Sequence, residues 1–259
     1  MEKIPLSVVI VTKNEEKVIG RCIDSIRDIA DEILVIDSGS EDNTVEIAKE
    51  KGARVIKRKW PGYPKQVQYG IDTAKNDFVL VLDADEEVSK DLKISIIENV
   101  KNPKDFSCFS LKRKTFYLGK FLEHTWYPEW RIRLFKKDKV RYEGYLHETV
   151  LCDGKVGNLS GDLYHYSFKS LRHQFLKAIE YADTASQELF EKGKRASFKH
   201  LFLNPLWSFI KNFIINRGFL DGKRGFIASV YMSFYTFMKY AFLYEKRLRN
   251  RYGNDLWKR

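Results

Sequence analysis

The stretch that most constrains this chain is Val79-Leu-Val-Leu-Asp-Ala-Asp-Glu86, an apolar run ending abruptly in acids. Apolar residues without polar alternation read as a strand buried on both faces, and here the strand delivers carboxylates to its C-terminal tip. In open α/β sheets that edge is where ligands sit. Asp83 and Asp85 lie two apart, so both reach toward one point as the strand ends. A few hard oxygen ligands suit Mg²⁺ or Mn²⁺, which keep waters and take phosphate oxygens from a substrate. Acids at strand ends also serve as turn residues and helix caps, and Asp-x-Asp alone does not separate the two readings.

The preceding residues favour a ligand site. Residues 6–12 (Leu-Ser-Val-Val-Ile-Val-Thr) are β-branched and apolar, a buried strand. A helix is predicted over 15–29, with Val18, Ile19, Cys22, Ile23 and Ile26 on one face. A second strand covers 32–37. A helix capped by Asp42 or Asn43 then runs through Lys51 to a stop at Gly52. Strands at 53–57 and 78–82 flank a helix over 67–75. This alternation predicts an α/β fold with a parallel, doubly wound sheet. The first, second and fourth strands end in Thr12-Lys13-Asn14, Asp37-Ser38 and Asp83-Ala84-Asp85, and right-handed crossovers put those ends on one edge. Three polar termini facing one crevice indicate a nucleotide site. Neither Gly-x-Gly-x-x-Gly nor Gly-x-x-x-x-Gly-Lys occurs there, which argues against dinucleotide dehydrogenases and P-loop enzymes.

Length suits one large domain or a domain with an appendage. The net charge is +11, and residues 195–259 hold 13 Lys/Arg against 3 acids, so nearly all of the excess sits in the last quarter. Such a local excess is a device for touching something anionic. Cys22, Cys108 and Cys152 are odd in number and far apart, without metal spacing. They imply no disulfide framework, and with it a reducing cytoplasm. The N-terminus runs straight into an apolar strand and lacks the features of a signal peptide.

Three ordered motifs, Ser7-Val-Val-Ile-Val-Thr-Lys-Asn-Glu-Glu16, Asp37-Ser-Gly-Ser-Glu-Asp-Asn-Thr44 and Asp83-Ala-Asp85, resemble those of the inverting family 2 glycosyltransferases, which have a GT-A fold. Trp130-Arg-Ile-Arg-Leu-Phe135, His147-Glu148, His165-Tyr166 and Gly218-Phe-Leu-Asp-Gly-Lys-Arg-Gly-Phe226 resemble a subgroup, the lipopolysaccharide-core β-glucosyltransferases that add glucose to an inner-core heptose. The resemblance implies a Rossmann-like, mostly parallel GT-A domain over residues 1–168 and a helical, basic-aromatic extension over 169–259. It also implies a UDP-sugar donor, a lipid-linked or lipopolysaccharide-core acceptor, and Mg²⁺ or Mn²⁺.

The same resemblance implies roles for individual residues. Asp37 is expected to accept a hydrogen bond from the uracil imide N–H, flanked by Thr12, Asn14 and Glu15; a fixed carboxylate is a natural acceptor there. The alternative for Asp37 is an Asx-turn with Ser38-Gly39. Lys65 stands where the family often puts a basic residue near the nucleotide. Asp83 is expected on ribose or metal-bound water, Asp85 on the ion, and His165 as a further ligand or diphosphate contact. Inversion needs a carboxylate to take the acceptor proton. Glu148 is the candidate base, with Glu143 and Glu129 as runners-up. Arg131 and Arg133 alternate on a predicted strand, so at most one faces the site. Trp126, Tyr127 and Trp130 offer faces for a sugar or fill a core.

In the tail, helices are predicted over 170–192, 197–216 and 226–251. Aromatics flanked by Lys and Arg suit a helix lying in the headgroup layer of an anionic membrane, here the inner face of the cell membrane. Dimer-forming helices come next, and a spanning helix last. No nucleic-acid module is recognisable. Two other classes stay open: a non-catalytic nucleotide-sugar or carbohydrate binder on this fold, and a nucleotidyltransferase, which would want a Gly-rich basic loop after the first strand.

Overall fold

A computed structural model describes residues 2–144, 149–253 and 255–257. The chain forms two compact units: unit 1 is Met1–Lys114 with Pro128–Tyr166, and unit 2 is Thr115–Tyr127 with Ser167–Arg259. The short segment 115–127, counted with the catalytic domain on sequence, thus groups with the C-terminal helices.

Unit 1 begins β1 (Ile4–Thr12), α1 (Ile19–Asp24), β2 (Ala30–Asp37), α2 (Thr44–Glu50), β3 (Arg54–Lys57), α3 (Tyr63–Thr73), β4 (Phe78–Asp83), β5 (Glu86–Val88) and α4 (Lys90–Lys101). It continues with β6 (Phe106–Tyr117), whose end enters unit 2, where β7 (Lys120–Phe121) pairs with it. Back in unit 1 come β8 (Glu129–Lys136), β9 (Val140–Glu143), β10 (Thr149–Cys152) and β11 (Lys155–His165). The sheet order is β3-β2-β1-β4-β8-β6-β11-β5. The first four strands are parallel, while β8 runs antiparallel to β4 and to β6, and β11 antiparallel to β5. A parallel nucleotide-binding half joined to an antiparallel half is the GT-A arrangement.

Alternation along the central strands explains why they are apolar throughout. Val8 and Ile10 of β1 with Leu80 and Leu82 of β4 face one core, shared with Ile19, Cys22 and Ile23 of α1 and Leu92 and Ile96 of α4. Val9 and Val11 with Val79 and Val81 face the other core, beneath Val67 and Ile71 of α3. Both faces are covered, so no polar face exists to show a period of two.

Three expectations are corrected. The first helix is only Ile19–Asp24. The chain before it is tied elsewhere: the backbone N–H groups of Asn14, Glu15 and Glu16 donate to Ser40, Thr44 and Asp42. The residues after it form tight turns, with Ile26 N–H to Ile23 O and Ile29 N–H to Ile26 O. Second, α3 starts earlier than predicted, at Tyr63, with Pro64 in its first turn, where a missing N–H costs nothing. Third, Cys108 and Cys152 form a disulfide across 44 residues of sequence, with Cα atoms 6.5 Å apart, and Cys22 is a buried free thiol. Distance along the sequence hid a pairing between β6 and β10, and the cysteine count therefore no longer argues for a reducing compartment.

In unit 2, α5 (Leu171–Glu191) is capped by the Ser170 hydroxyl, which accepts from His173 N–H. Residues 199–215 are one helical run, α6 (Asn204–Ile210) with π-helical turns before and after it. The last helix is α7 (Gly222–Tyr252). Tyr117, Trp126, Phe168 and Tyr231 meet edge to face or tilted, and the Tyr117 hydroxyl donates to Gln174. Asp221 accepts backbone N–H bonds from Glu123, His124 and Thr125 at 2.9, 3.1 and 2.7 Å. Among the described residues no helix is long and apolar enough to cross a membrane.

Candidate active site

Register sets the site. Thr12 of β1 pairs with Asp37 of β2, and Val11 pairs with Asp83 of β4, so the three strand ends stop at one level. Just beyond them is an open cleft of about 190 Å³ lined by Val11, Thr12, Lys13, Glu15, Trp60, Tyr63, Asp83, Ala84 and Asp85.

The first two motifs prove to be one knot. Asn14 sits in the left-handed region (φ 55°), which Asn tolerates better than most residues. Its side-chain carbonyl accepts from Glu41 N–H, and its own N–H donates to Ser40. Glu16 accepts from Asn43 through both backbone and side chain, and Ser38 N–H donates to Thr12 O. The Asp37 carboxylate is fully buried and accepts from Gly39 N–H, Ser40 N–H and the Ser40 hydroxyl. It therefore forms the turn that was the alternative to a base contact, and it is not among the cleft-lining groups. Thr12 behaves differently: its residue is 4% exposed and its hydroxyl has no hydrogen-bond partner among the described residues. A buried unpaired hydroxyl is costly, and here it lies where a ligand can pair with it.

Asp83 and Asp85 diverge. Asp83 accepts from the Tyr63 hydroxyl at 2.6 Å and from Arg133 Nη2 at 2.8 Å. Burial alone would raise its pKa, but the Arg133 charge and the Tyr63 bond hold it down at about 2, so it is ionised. Arg133 settles the choice left open on β8: it is 3% exposed beneath the cleft and also approaches Glu86 at 3.4 Å. Arg131 stays exposed on Glu129. Glu86, not singled out from the sequence, is fully buried; burial raises its pKa to about 7, while its Oε2 accepts from Asp83 N–H. Arg113 lies 3.6 Å from Glu86 and pairs with Glu129.

Asp85 meets His165. Antiparallel pairing aligns His165 with Glu86, and Tyr166 N–H donates to Asp85 O, which brings His165 Nε2 to 3.6 Å from Asp85 Oδ1. Burial first, then the Arg113 charge, push the imidazole down to about 3 and keep it neutral, the form that ligates metals. An ionisable carboxylate beside a neutral imidazole at a cleft fits a divalent cation that takes further ligands from phosphate. Among the described residues no group of three or more His, Cys, Asp or Glu forms a metal cage by itself.

Other expected residues fall away from the cleft. Lys65 is exposed on α3 and is not a lining residue. Its neighbour Gln66 is the buried one, bonded to Ser38 and Arg58. A helix turns its side chains by about 100° per residue, so adjacent positions face different ways. Glu148 lies outside the described residues. Of its alternatives, Glu129 is paired to Arg113 and Arg131; burial raises its pKa, but those arginines win and hold it low, which makes it a poor base. Glu143 ends β9, exposed. Trp60, 49% exposed at the cleft, went unnoticed in the sequence; Trp60-Pro61-Gly62 between a strand and a helix was the available signal.

Comparison with known proteins decides the family. Residues 7–158 match the family model "Glycosyl transferase family 2". The chain belongs to that family. It is similar to an uncharacterized glycosyltransferase of Rickettsia typhi, 35% identical over 259 residues, covering 95% of this chain and 89% of that protein. Similarity extends to the lipopolysaccharide core biosynthesis glycosyltransferase LpsC of Rhizobium meliloti, 29% identical over 257 residues, covering 94% of this chain and 93% of LpsC. Among solved structures, glucosyl-3-phosphoglycerate synthase of Mycobacterium tuberculosis is 18% identical over 74% of this chain and 81% of that one, at a TM-score of 0.48.

Proposed function

We propose that this family 2 glycosyltransferase moves a hexose, glucose by resemblance, from a UDP-sugar with inversion to a lipid-linked saccharide such as a lipopolysaccharide inner-core heptose. Residues 1–168 are the catalytic part in this reading, and 169–259 serve the acceptor or the inner face of the membrane. The observation that carries the donor site is the convergence on one cleft of the unpaired Thr12 hydroxyl, ionised Asp83, and Asp85 beside neutral His165. Likeness to LpsC along nearly the whole chain supports the acceptor class.

The chain's own groups divide the work. Trp60 offers a face on which the uracil stacks, and Thr12 pairs with a polar atom of base or ribose. Asn14, Glu15 and Asp37 hold the two loops that shape this wall, Asp37 as a positioning residue. Asp83, fixed by Tyr63 and Arg133, meets the ribose edge. Asp85 and His165 are the residues that would hold Mg²⁺ or Mn²⁺, which when bound would supply Lewis-acid stabilisation of the departing diphosphate. Glu148 takes the acceptor proton as the sugar is displaced in one inverting step.

The test is turnover of a panel of UDP- and GDP-sugars with Mn²⁺ and heptose-containing core acceptor. Preferential release of UDP from UDP-glucose, with a β-linked product by NMR, is expected. Tight UDP-sugar binding without any turnover would favour a non-catalytic binder, and preference for a GDP-sugar would remove the donor assignment.

A further inference from the structure

Unit 2 carries a helical surface built the wrong way round for a protein that meets only water. In the run 199–215, the buried residues are Pro205 and Asn212, and the Asn212 amide donates to Ser208 O. Phe202, Trp207 and Ile214 stand 55%, 57% and 53% exposed. The next helix repeats the pattern. In the first turns of α7 the small or polar Gly225, Ala228 and Ser229 are buried, with Tyr231 and Leu243 buried further along, whereas Phe226 and Val230, one turn apart, face outward.

These two stripes join. Phe226 meets Phe209 and Phe213 edge-on at 5.8 and 5.7 Å, and Phe213 meets Phe219. Between them lies a shallow apolar cavity, wide open to the surface, of about 460 Å³, lined by Phe213, Phe219, Gly222, Lys223, Phe226 and Ile227. Isolated exposed apolar residues need no explanation, but a contiguous aromatic patch with its own cavity marks an interaction surface.

Charge identifies the occupant. Residues 195–230 contain six Lys/Arg and a single acid, Asp221. That acid is turned inward onto three backbone N–H groups, so it neutralises none of them. Lys199, Lys211 and Lys223 are exposed on the same helical segments as the aromatics, and Arg217 is exposed in the turn between them. Aromatic and aliphatic side chains ringed by unneutralised cations match the headgroup and upper acyl layer of an anionic bilayer.

We infer that the outward face of residues 198–230 is an interfacial membrane-insertion surface, with its cavity receiving an acyl chain of an anionic lipid. This deepens the lipid-linked reading above, but it stands on the surface of unit 2 alone. The helices lie in the interface plane and do not span it. Phe202, Trp207 and Phe219 enter the acyl boundary while Lys211 and Lys223 meet lipid phosphates.

The experiment is flotation of the full chain with vesicles of phosphatidylcholine containing phosphatidylglycerol, and with phosphatidylcholine alone. Binding is expected only to the anionic vesicles, with tryptophan quenching by brominated acyl chains that weakens in Trp207→Phe. Lys211→Glu with Lys223→Glu should cut partitioning at least about tenfold, and Phe202→Ser with Trp207→Ser should cut it similarly with the circular dichroism spectrum unchanged. Failure to float at low salt overturns the inference, as does flotation unaffected by either double variant. Concentration-dependent dimerisation that buries Trp207 and blocks vesicle binding overturns it in favour of a second copy. Asp85→Ala should float normally, and the surface variants should keep UDP-sugar hydrolysis, so failure of the membrane surface and failure of the donor site read out separately.

Discussion

In unit 1, Val8, Ile10, Leu80 and Leu82 are wholly buried and the polar residues gather at one sheet edge. In unit 2, Asn212 and Ser229 are buried while Phe202 and Trp207 are more than half exposed. Secondary structure alone does not decide which side chains of a helix or strand face outward. In the two readings proposed above, what separates the two units is the partner each surface would meet. A cleft for a small charged ligand needs fixed polar groups on a rigid apolar platform. A bilayer supplies the apolar medium itself, so a helix can present its aromatics outward and pack with small residues inward.

The predictions that break or sharpen this contrast run from large effects to small. Asp85→Ala should lower transfer at least roughly 100-fold, since a bound cation's charge stabilisation is worth several kcal/mol, while the thermal melt stays near that of the parent. Steady-state turnover in saturating Mn²⁺ is the check.

Arg133→Met should be the most damaging single change to stability, costing about 3–5 kcal/mol, because Asp83 loses its ion pair and buried Glu86 keeps only Arg113, at 3.6 Å. Urea unfolding measures it; an unchanged midpoint would mean that the cluster is solvated. Next, Ile10→Ala should cost about 2–5 kcal/mol, while Trp207→Ala, at the exposed face, should stay within about 0.5 kcal/mol. Equal costs by the same unfolding assay would erase the contrast between the units.

A smaller effect tests the Asp221 turn. Burial raises its pKa, but the backbone donors at 123–125 outweigh that and leave it lowered. Its contribution is thus complete above the ordinary carboxylate range and disappears as pH falls through the lowered folded-state value. Asp221→Asn should cost about 1 kcal/mol at neutral pH, allowing for solvent screening. Melting curves of the two proteins should converge as the pH drops below about 4.

Much of the fold could be read from the chain because β1 and β4 are apolar on both faces, and that pattern has few other meanings. The lengths of local helices were harder. The first helix is preceded only by turns, with the N–H groups of Asn14, Glu15 and Glu16 bonded to Ser40, Thr44 and Asp42, long-range partners that apolar spacing does not reveal. Parity on β8 correctly limited the inward arginine to one of two, yet only the pairing with β4 and β6 identifies Arg133. Lys65 was named by resemblance; only the phase of α3, fixed by its start at Tyr63, shows that Lys65 points outward and Gln66 inward. Cys108 and Cys152 meet through strand packing, and Glu86 draws its significance from Arg113 and Arg133, distant in sequence. On the tail, composition signalled aromatics among cations, but which side of each helix faces outward depends on tertiary contacts alone.

The donor-site account is tested most directly by calorimetric titration of UDP into the protein, with and without Mn²⁺, in the parent and in Asp85→Asn. Mn²⁺ should raise UDP affinity at least about tenfold in the parent, as expected if the ion bridges carboxylate and diphosphate, and should do nothing for the variant. Affinity that is independent of the metal in both proteins, or absent from both, would contradict the placement of nucleotide and cation at the ends of β1 and β4.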